Sequence, residues 1–461
     1  MQLNFKNTMN ALPSFKEEDL KAIINAQLKK CDQTVVVLDD DPTGTQTMHS
    51  VPVLTVWDTE SIEEEINNRS PLFYILTNTR SMNAEEADKL HREIGGNIAK
   101  AFGKYNREFI LISRGDSTLR GHFPNDIIAL ADGLQIENFL TAVIPAFFEG
   151  GRYTIDDVHY VKEGEQLIPV AETSFAKDKA FGFSHSHLKE WVEEKSKGVI
   201  RSDNVVSFSL AELREESIEM LAKKIAVMPE FSTCIVNAAV YYDVEKFAAA
   251  YLQSGVQMFF RTAASFVKAV SGSEEKNLLG KNELTTANNK NGGLIIIGSY
   301  VPKSTSQLQA LLHNESLTAI ELDVTKIINN ETNLTHDAGR METFISTGKD
   351  VLIYTSRLLQ AGANENESLL IGNQVSNYIT GLLCRLKSVP RFFIAKGGIT
   401  SSDIATKSLE IKRATVTGQA LPGVPVWLAG VESKFPGLPY IIFPGNVGDE
   451  NALKILYEKL K

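Results

Sequence analysis

Short unbroken apolar runs alternate along this chain with longer segments whose apolar residues recur every three or four positions. Leu20, Ile23, Ile24 and Leu28 fall on one helical face, and Ser14 followed by Glu17 has capping-box spacing, so a helix is predicted over 15–30. VVVL at 35–38 comes next, four β-favouring residues without polar alternation, the pattern of a strand covered on both faces. VPVLTVW, LFYILTN, FILISRG, AVIPAF, NVVSF, TCIVNAA and QMFFRTA predict further strands, with an amphipathic helix from about Ala84 to Phe102. A polar, Asn-rich stretch around 274–293 interrupts this rhythm. A second alternation then starts with GLIIIGS and runs through TAIELDV, DVLIYTS, RFFIAKGGIT, VPVWLAG and YIIFPGN. The pattern predicts an α/β protein of two domains, each a mostly parallel sheet flanked by helices, with a cleft between them. The domains are placed at 1–272 and 293–461, joined by a connecting segment over 273–292. The shared rhythm is not an internal repeat, since the two halves show no residue-level self-similarity.

Composition narrows the function classes. The 461 residues are 43% hydrophobic and 23% charged, those of an ordinary globular chain with material for ample cores. A net charge of −10 argues against non-specific binding to nucleic acid or to an anionic membrane. An anionic substrate would therefore need local Arg, Lys, backbone N–H groups or a metal. No run approaches the roughly 18 apolar residues of a membrane span, and the N-terminus lacks a basic region followed by an apolar stretch, so a cytoplasmic protein is expected. Cys31, Cys234 and Cys384 are odd in number and far apart, which points to neither a disulfide framework nor a Cys-based zinc site. The eight histidines form no HExxH pair, and His185 with His187 reads as a loop or helix start.

Candidate chemistry lies at the strand ends. Asp39, Asp40 and Asp41 emerge from VVVL and open into a Pro42/Gly44 turn; TNTRSM brings Arg80; SRGDSTLRGH brings Arg114, Asp116, Ser117, Thr118, Arg120, Gly121 and His122. Carboxyl ends of parallel strands point one way, so these loops can converge on one pocket. Arg can grip a carboxylate through two hydrogen bonds while Asp, Ser and Thr bracket hydroxyls, a combination suited to a small hydroxylated acid. Each lone Arg or Asp has a surface ion pair as its plain reading. The loop around Glu149, Gly150, Gly151, Arg152, Asp156 and Asp157 reads as a lid or, at least equally, as a hairpin.

Three junctions in the second half are built for phosphate: Gly298 and Ser299 in GLIIIGSYVPKSTSQL; Gly397, Gly398, Ile399 and Thr400 in FFIAKGGITSSDIA, with Asp403 soon after; Gly445 and Gly448 in YIIFPGNVGDENAL. Glycines allow close backbone approach, and helix N-termini present unpaired N–H donors to anions. Any one alone is a glycine turn; three together favour a nucleotide. Neither a Walker A sequence nor GxGxxG is present.

Asp39, Asp41 and Thr43 also fit the DxDxT pattern resembling haloacid-dehalogenase phosphatases, but that reading leaves the glycine loops unexplained. A nucleotide-responsive ligand-binding protein is the non-enzymatic alternative. LDDDPTGTQT, TNTRS, SRGDSTLRGHFP, RTAASF, GSYVPKSTSQL, YTSR, KGGITSSDIA and FPGNVGDENAL together, and in this order, resemble the four-carbon acid sugar kinase family. The resemblance implies an N-terminal sugar-acid-binding domain, a C-terminal ATP-binding domain, and transfer of phosphate from ATP with Mg2+ to the terminal hydroxyl of threonate, erythronate or a 3-oxo-tetronate. It makes Ser299, Gly397 to Thr400 and Gly445 ATP contacts, and places the acid at Asp39, Asp40, Arg80 and the Arg114 to Gly121 loop. Asp40 and Asp116 are the candidates to accept or orient the hydroxyl proton, with domain closure about 270–292. Shorter family members read ADDLTGA where this chain has LDDDPTGTQT, so the identity of the acid is left open by the changed substrate loop. A homodimer is the base-rate oligomer.

Overall fold

The computed structural model describes residues 2–274, 276–299, 301–357 and 365–461. Its strands in chain order are β1 (Leu3–Asn4), β2 (Thr34–Asp39), β3 (Val51–Leu54), β4 (Leu72–Leu76), β5 (Phe109–Arg114), β6 (Leu140–Ile144), β7 (Arg152–Ile155), β8 (Val158–Glu163), β9 (Gln166–Pro169) and β10 (Val206–Phe208). They continue with β11 (Thr233–Val236), β12 (Met258–Thr262), β13 (Leu294–Ile297), β14 (Leu317–Leu322), β15 (Asp350–Thr355), β16 (Phe393–Lys396), β17 (Arg413–Leu421), β18 (Val424–Ala429) and β19 (Pro439–Phe443). Two compact units result: residues 1–44 with 56–275, and residues 45–55 with 276–461.

In the first unit the strands run β10-β11-β6-β12-β5-β2-β4, and every neighbouring pair is parallel. All six residues of β2 are buried, as its unbroken apolar run predicts for a strand with two covered faces. The flanking helix Ala84–Tyr105 is secured at its start by a capping box between Asn83 and Glu86. The first long helix begins at Leu20, five residues later than the periodicity suggests. Asp19 caps it by accepting from the Ala22 N–H, and a separate short helix, Phe5–Ala11, precedes it. A small antiparallel sheet, β1-β9-β8-β7, completes this unit. The Gly150/Gly151 loop leads into its hairpin, with Phe147 and Arg152 exchanging backbone hydrogen bonds at 3.1 and 2.8 Å. His187 directly precedes the helix Leu188–Lys195, and His185 pairs with Glu194 at 2.7 Å.

In the second unit the order is β3-β17-β18-β19-β16-β13-β15-β14: parallel from β19 to β14, antiparallel from β3 to β19. Its core contains Ile295, Ile297, Leu308, Ile394, Ile441, Phe443 and Leu456. The stretch expected to connect the domains packs here too: Leu279 and Leu284 are buried in that core, and the Leu279 N–H donates to the Gln419 carbonyl at 2.8 Å. Its polar composition marks where the chain changes units, while its two leucines anchor it. No described helix is long and apolar enough to cross a membrane.

Candidate functional site

In the first unit β2 lies between β4 and β5, so the chain moves to one side of β2 and then to the other. Such a reversal leaves an opening beyond the carboxyl ends of the strands. Asp39, Arg80 and the loop after Arg114 all emerge there.

Asp39 pairs in register with Arg114 of β5, and the Arg114 Nη1–H donates to its Oδ1 at 3.1 Å. The Asp41 N–H donates to the same oxygen at 3.2 Å, whereas Oδ2 is buried with no hydrogen-bond partner. Gly44 packs against this carboxylate, where a side chain would collide with it. Burial pushes Asp39 up to about 7; Arg114 opposes that shift, and the charges of Asp40 and Asp41 add to it. Asp40 is gripped at both oxygens by Arg80, Nη2 to Oδ1 at 2.5 Å and Nε to Oδ2 at 3.2 Å, with Arg114 at 3.7 Å. Arg80 also reaches Asp41 at 3.3 Å. Its turn, Thr79–Ser81, is set by Asn78 in the left-handed region at φ 53°. Burial works against the Arg80 charge, but Asp40, Asp41 and Asp116 outweigh it and raise its pKa.

Asp116 accepts from Arg120 Nε at 2.7 Å and from the Thr118 hydroxyl. Burial would raise it, yet Arg120 and Arg80 hold this carboxyl far below the usual range. Arg120 further contacts Asp178 at 3.4 Å and lies over the Phe175 ring. Ser117 is buried, and its carbonyl accepts the His159 Nε2–H at 2.8 Å; burial drives His159 down to about 4, so that ring is neutral. Gly121, at φ 129°, and Gly115 make room for a residue that single-position reasoning misses, Arg261 of β12. Arg261 Nη2 donates to the Arg120 carbonyl at 2.8 Å, and Nη1 lies 3.6 Å from Asp126. Asp126 accepts the Ser113 hydroxyl at 2.8 Å, and His122 donates through Nε2 to the Thr79 carbonyl at 2.9 Å. Asp40, Thr79, Ser113, His122, Asp126 and Arg261 line a polar cavity of about 10 Å³, the room of about one water. The sequence signal for Arg261 was the RTAASF block; Asp126 had none, since an acid in a helix's first turn is commonplace.

In the second unit β13, β16 and β19 are adjacent and parallel, so their three glycine loops leave the same sheet edge side by side. The Ser304 hydroxyl donates to Ser299 Oγ at 3.1 Å and lies 3.2 Å from the Gly445 carbonyl. A Cβ on Gly445 would sit 3.2 Å from Ser299 Oγ, and one on Gly397 would sit 3.0 Å from Ser299 Cβ. Gly298 abuts the Thr400 side chain. Gly298, Ser299, Gly397, Thr400 and Gly445 therefore form one cradle that added side chains would fill, the fit a backbone-bound phosphate requires. Gly398 opens the helix Gly398–Asp403, and Ile399 is 57% exposed beside it. Arg357, two residues past the end of β15, braces the cradle, donating to the Ser299 carbonyl at 2.7 Å and to the Thr355 carbonyl at 2.9 and 2.8 Å. Among the described residues no three His, Cys, Asp or Glu side chains gather as a metal site. A Mg2+ carried by nucleotide needs no such cage, since it takes most ligands from phosphate and water.

A family model described as a sugar-binding N-terminal domain matches residues 35–270, and one described as a nucleotide-binding C-terminal domain matches residues 294–453. Among solved structures the chain is similar to a Salmonella typhimurium LT2 protein provisionally described as a tRNA synthase, with a TM-score of 0.66 and 17% identity over 92% of this chain and 98% of that one. It is also similar to protein HI1011 of Haemophilus influenzae, of family DUF1537, with a TM-score of 0.61 and 17% identity over 92% of this chain and 100% of that one. At this identity the two structures show the fold alone. No curated protein matches the chain.

Proposed function

The chain belongs to the four-carbon acid sugar kinase family, and on that premise we propose that it transfers phosphate from ATP to the terminal hydroxyl of a four-carbon sugar acid of the threonate, erythronate or 3-oxo-tetronate class. The observation that supports this best is the pairing, in one chain, of a sugar-binding unit rich in Arg–Asp pairs with a nucleotide-binding unit whose glycine loops form a phosphate cradle. ATP, with Mg2+, would supply the transferable phosphoryl group and part of its charge neutralisation. Ser299, Gly397, Gly398, Ile399, Thr400 and Gly445 would hold it.

Arg80 is the better anchor for the substrate carboxylate, because its side chain is 20% exposed and that of Arg114 only 4%. A substrate carboxylate on Arg80 competes with Asp40 for the same guanidinium face. Asp40, relieved of one partner, can then accept a hydrogen bond from the substrate hydroxyl. Asp116 is the weaker base, since Arg120 and Thr118 stabilise its ionised form; it is better suited to fixing Arg120 toward the substrate. Ser117, Thr118 and Gly121 shape that loop, and Asp39 with Arg114 supports Asp40 from behind.

The test is ADP release with threonate, erythronate and 3-oxo-tetronates, followed by phosphorus NMR of the product. Asp40→Asn should lower kcat roughly 100-fold or more at little changed KM, the scale of a lost proton acceptor. Asp116→Asn should act mainly through KM. No turnover on any acid, with phosphate released from phosphorylated compounds, would restore the phosphatase reading. That reading asks Asp39 to be a nucleophile, whereas here it is buried against Arg114 and Gly44.

A further inference from the structure

We infer that Lys396 is a nucleotide-binding residue whose buried ammonium is the counter-charge of a phosphate held at the three glycine loops. The inference rests on the nucleotide-binding reading of this unit and adds a buried ammonium to the cradle that Arg357 braces from outside. Lys396 ends β16 immediately before Gly397 and is fully buried. Its Nζ donates to the Pro444 carbonyl at 3.0 Å, and Pro444 immediately precedes Gly445. The ammonium is thus tethered where two of the three loops begin, with the Phe443 ring centroid 4.2 Å away.

An ammonium has three donors, and the described structure gives this one a single acceptor. Among the described residues Lys396 forms no ion pair. The charge that acts on it is Lys303, of the same sign, in the first turn of the helix Pro302–Leu312 that follows the Ser299 loop. Its register partners on β13 and β19 are Ile297 and Phe443, which carry no charge. Acids on adjoining segments are engaged elsewhere: Asp403 with Lys407 at 2.8 Å, and Asp449 with the Asn451 N–H at 3.0 Å. Burial, reinforced by Lys303, pushes Lys396 down to about 7. A tether to Pro444 uses one donor, whereas an amine buried without an anion is held back from ionising and keeps its remaining donors and its basicity for a ligand. A phosphate in the cradle provides the missing anion, and Lys396 then takes a proton from solvent as nucleotide binds.

Calorimetric titration of the full-length protein near pH 8, in buffers of different ionisation enthalpy, reads this proton directly. The wild type should take up most of one proton with ADP and none with adenosine, because a group titrating near 7 is largely neutral there until an anion arrives. Lys396→Met should weaken ADP binding about 10- to 100-fold, the equivalent of one hydrogen bond from a charged donor, leave adenosine binding unchanged and abolish the uptake. If the Met variant fails to fold, the wild-type proton count alone decides. ADP binding without proton uptake, or a folded Lys396→Met with wild-type ADP affinity, would overturn the inference. A wild type that binds neither adenosine nor ADP would instead overturn the nucleotide reading beneath it.

Discussion

Asp39 is a buried acid whose partner satisfies half of it. In the unfolded chain it ionises near 3.8, in the folded protein near 7. Between those values the unfolded chain has lost a proton that the folded state keeps, so Asp39 makes stability fall as pH rises from about 4 to about 7, then level off. Asp39→Asn removes that slope. Thermal denaturation from pH 4 to 8 should show the variant gaining on wild type by up to roughly 4 kcal/mol across this window; a constant gap would contradict it. Gly44→Ala should cost roughly 1–3 kcal/mol in urea denaturation, because a methyl group there meets a carboxylate that cannot retreat. The aspartate run was legible in sequence because it follows a strand with no polar alternation. Asp126 was not, and the RTAASF block marks Arg261 without giving it a role, because β12 becomes the neighbour of β5 only in the folded sheet. No local pattern tells a guanidinium threaded between two glycines from a surface ion pair.

Elements carry the same lesson. The helices Ala84–Tyr105 and Asn125–Leu134 approach closely through glycines: a Cβ on Gly95 would stand 2.7 Å from the Leu130 carbonyl oxygen. Backbone on both sides leaves nothing flexible to move. Gly95→Ala should therefore destabilise the protein by roughly 1–3 kcal/mol in denaturant. It should also raise the KM for the acid, since the second helix carries Asp126, which holds Ser113 and faces Arg261. A loss of stability with KM unchanged would separate the helix contact from the site. The parallel strands were readable from their buried runs. β17 carries no such run: its burial alternates residue by residue, but RATVTGQAL mixes small and polar residues, so the alternation is of burial more than of hydrophobicity. The first long helix starts later than its capping spacing implies, because Ser14 and Glu17 only mimic a cap that Asp19 supplies.

For the whole molecule, the chain's path between units matters more than the polar stretch that marks it. Residues 45–55 belong to the second unit although they follow β2 of the first almost at once. β3 pairs antiparallel with β17, the Ser50 N–H donates to the Val416 carbonyl at 2.6 Å, and the buried Trp427 Nε1–H donates to Thr45 Oγ1 at 3.0 Å. Hydrophobic pattern identifies VPVLTVW as a strand, but periodicity does not say which sheet a strand joins. A fragment of residues 276–461 would expose the β17 edge and leave a buried indole N–H without its acceptor, two defects that favour aggregation and unfolding. Such a fragment should be poorly folded by circular dichroism and show little amide protection in β17 and β18. Attaching residues 45–55 through a flexible linker should restore cooperative unfolding. If the fragment alone melts as sharply with 45–55 as without, that segment is a passenger on the second unit and not part of its fold.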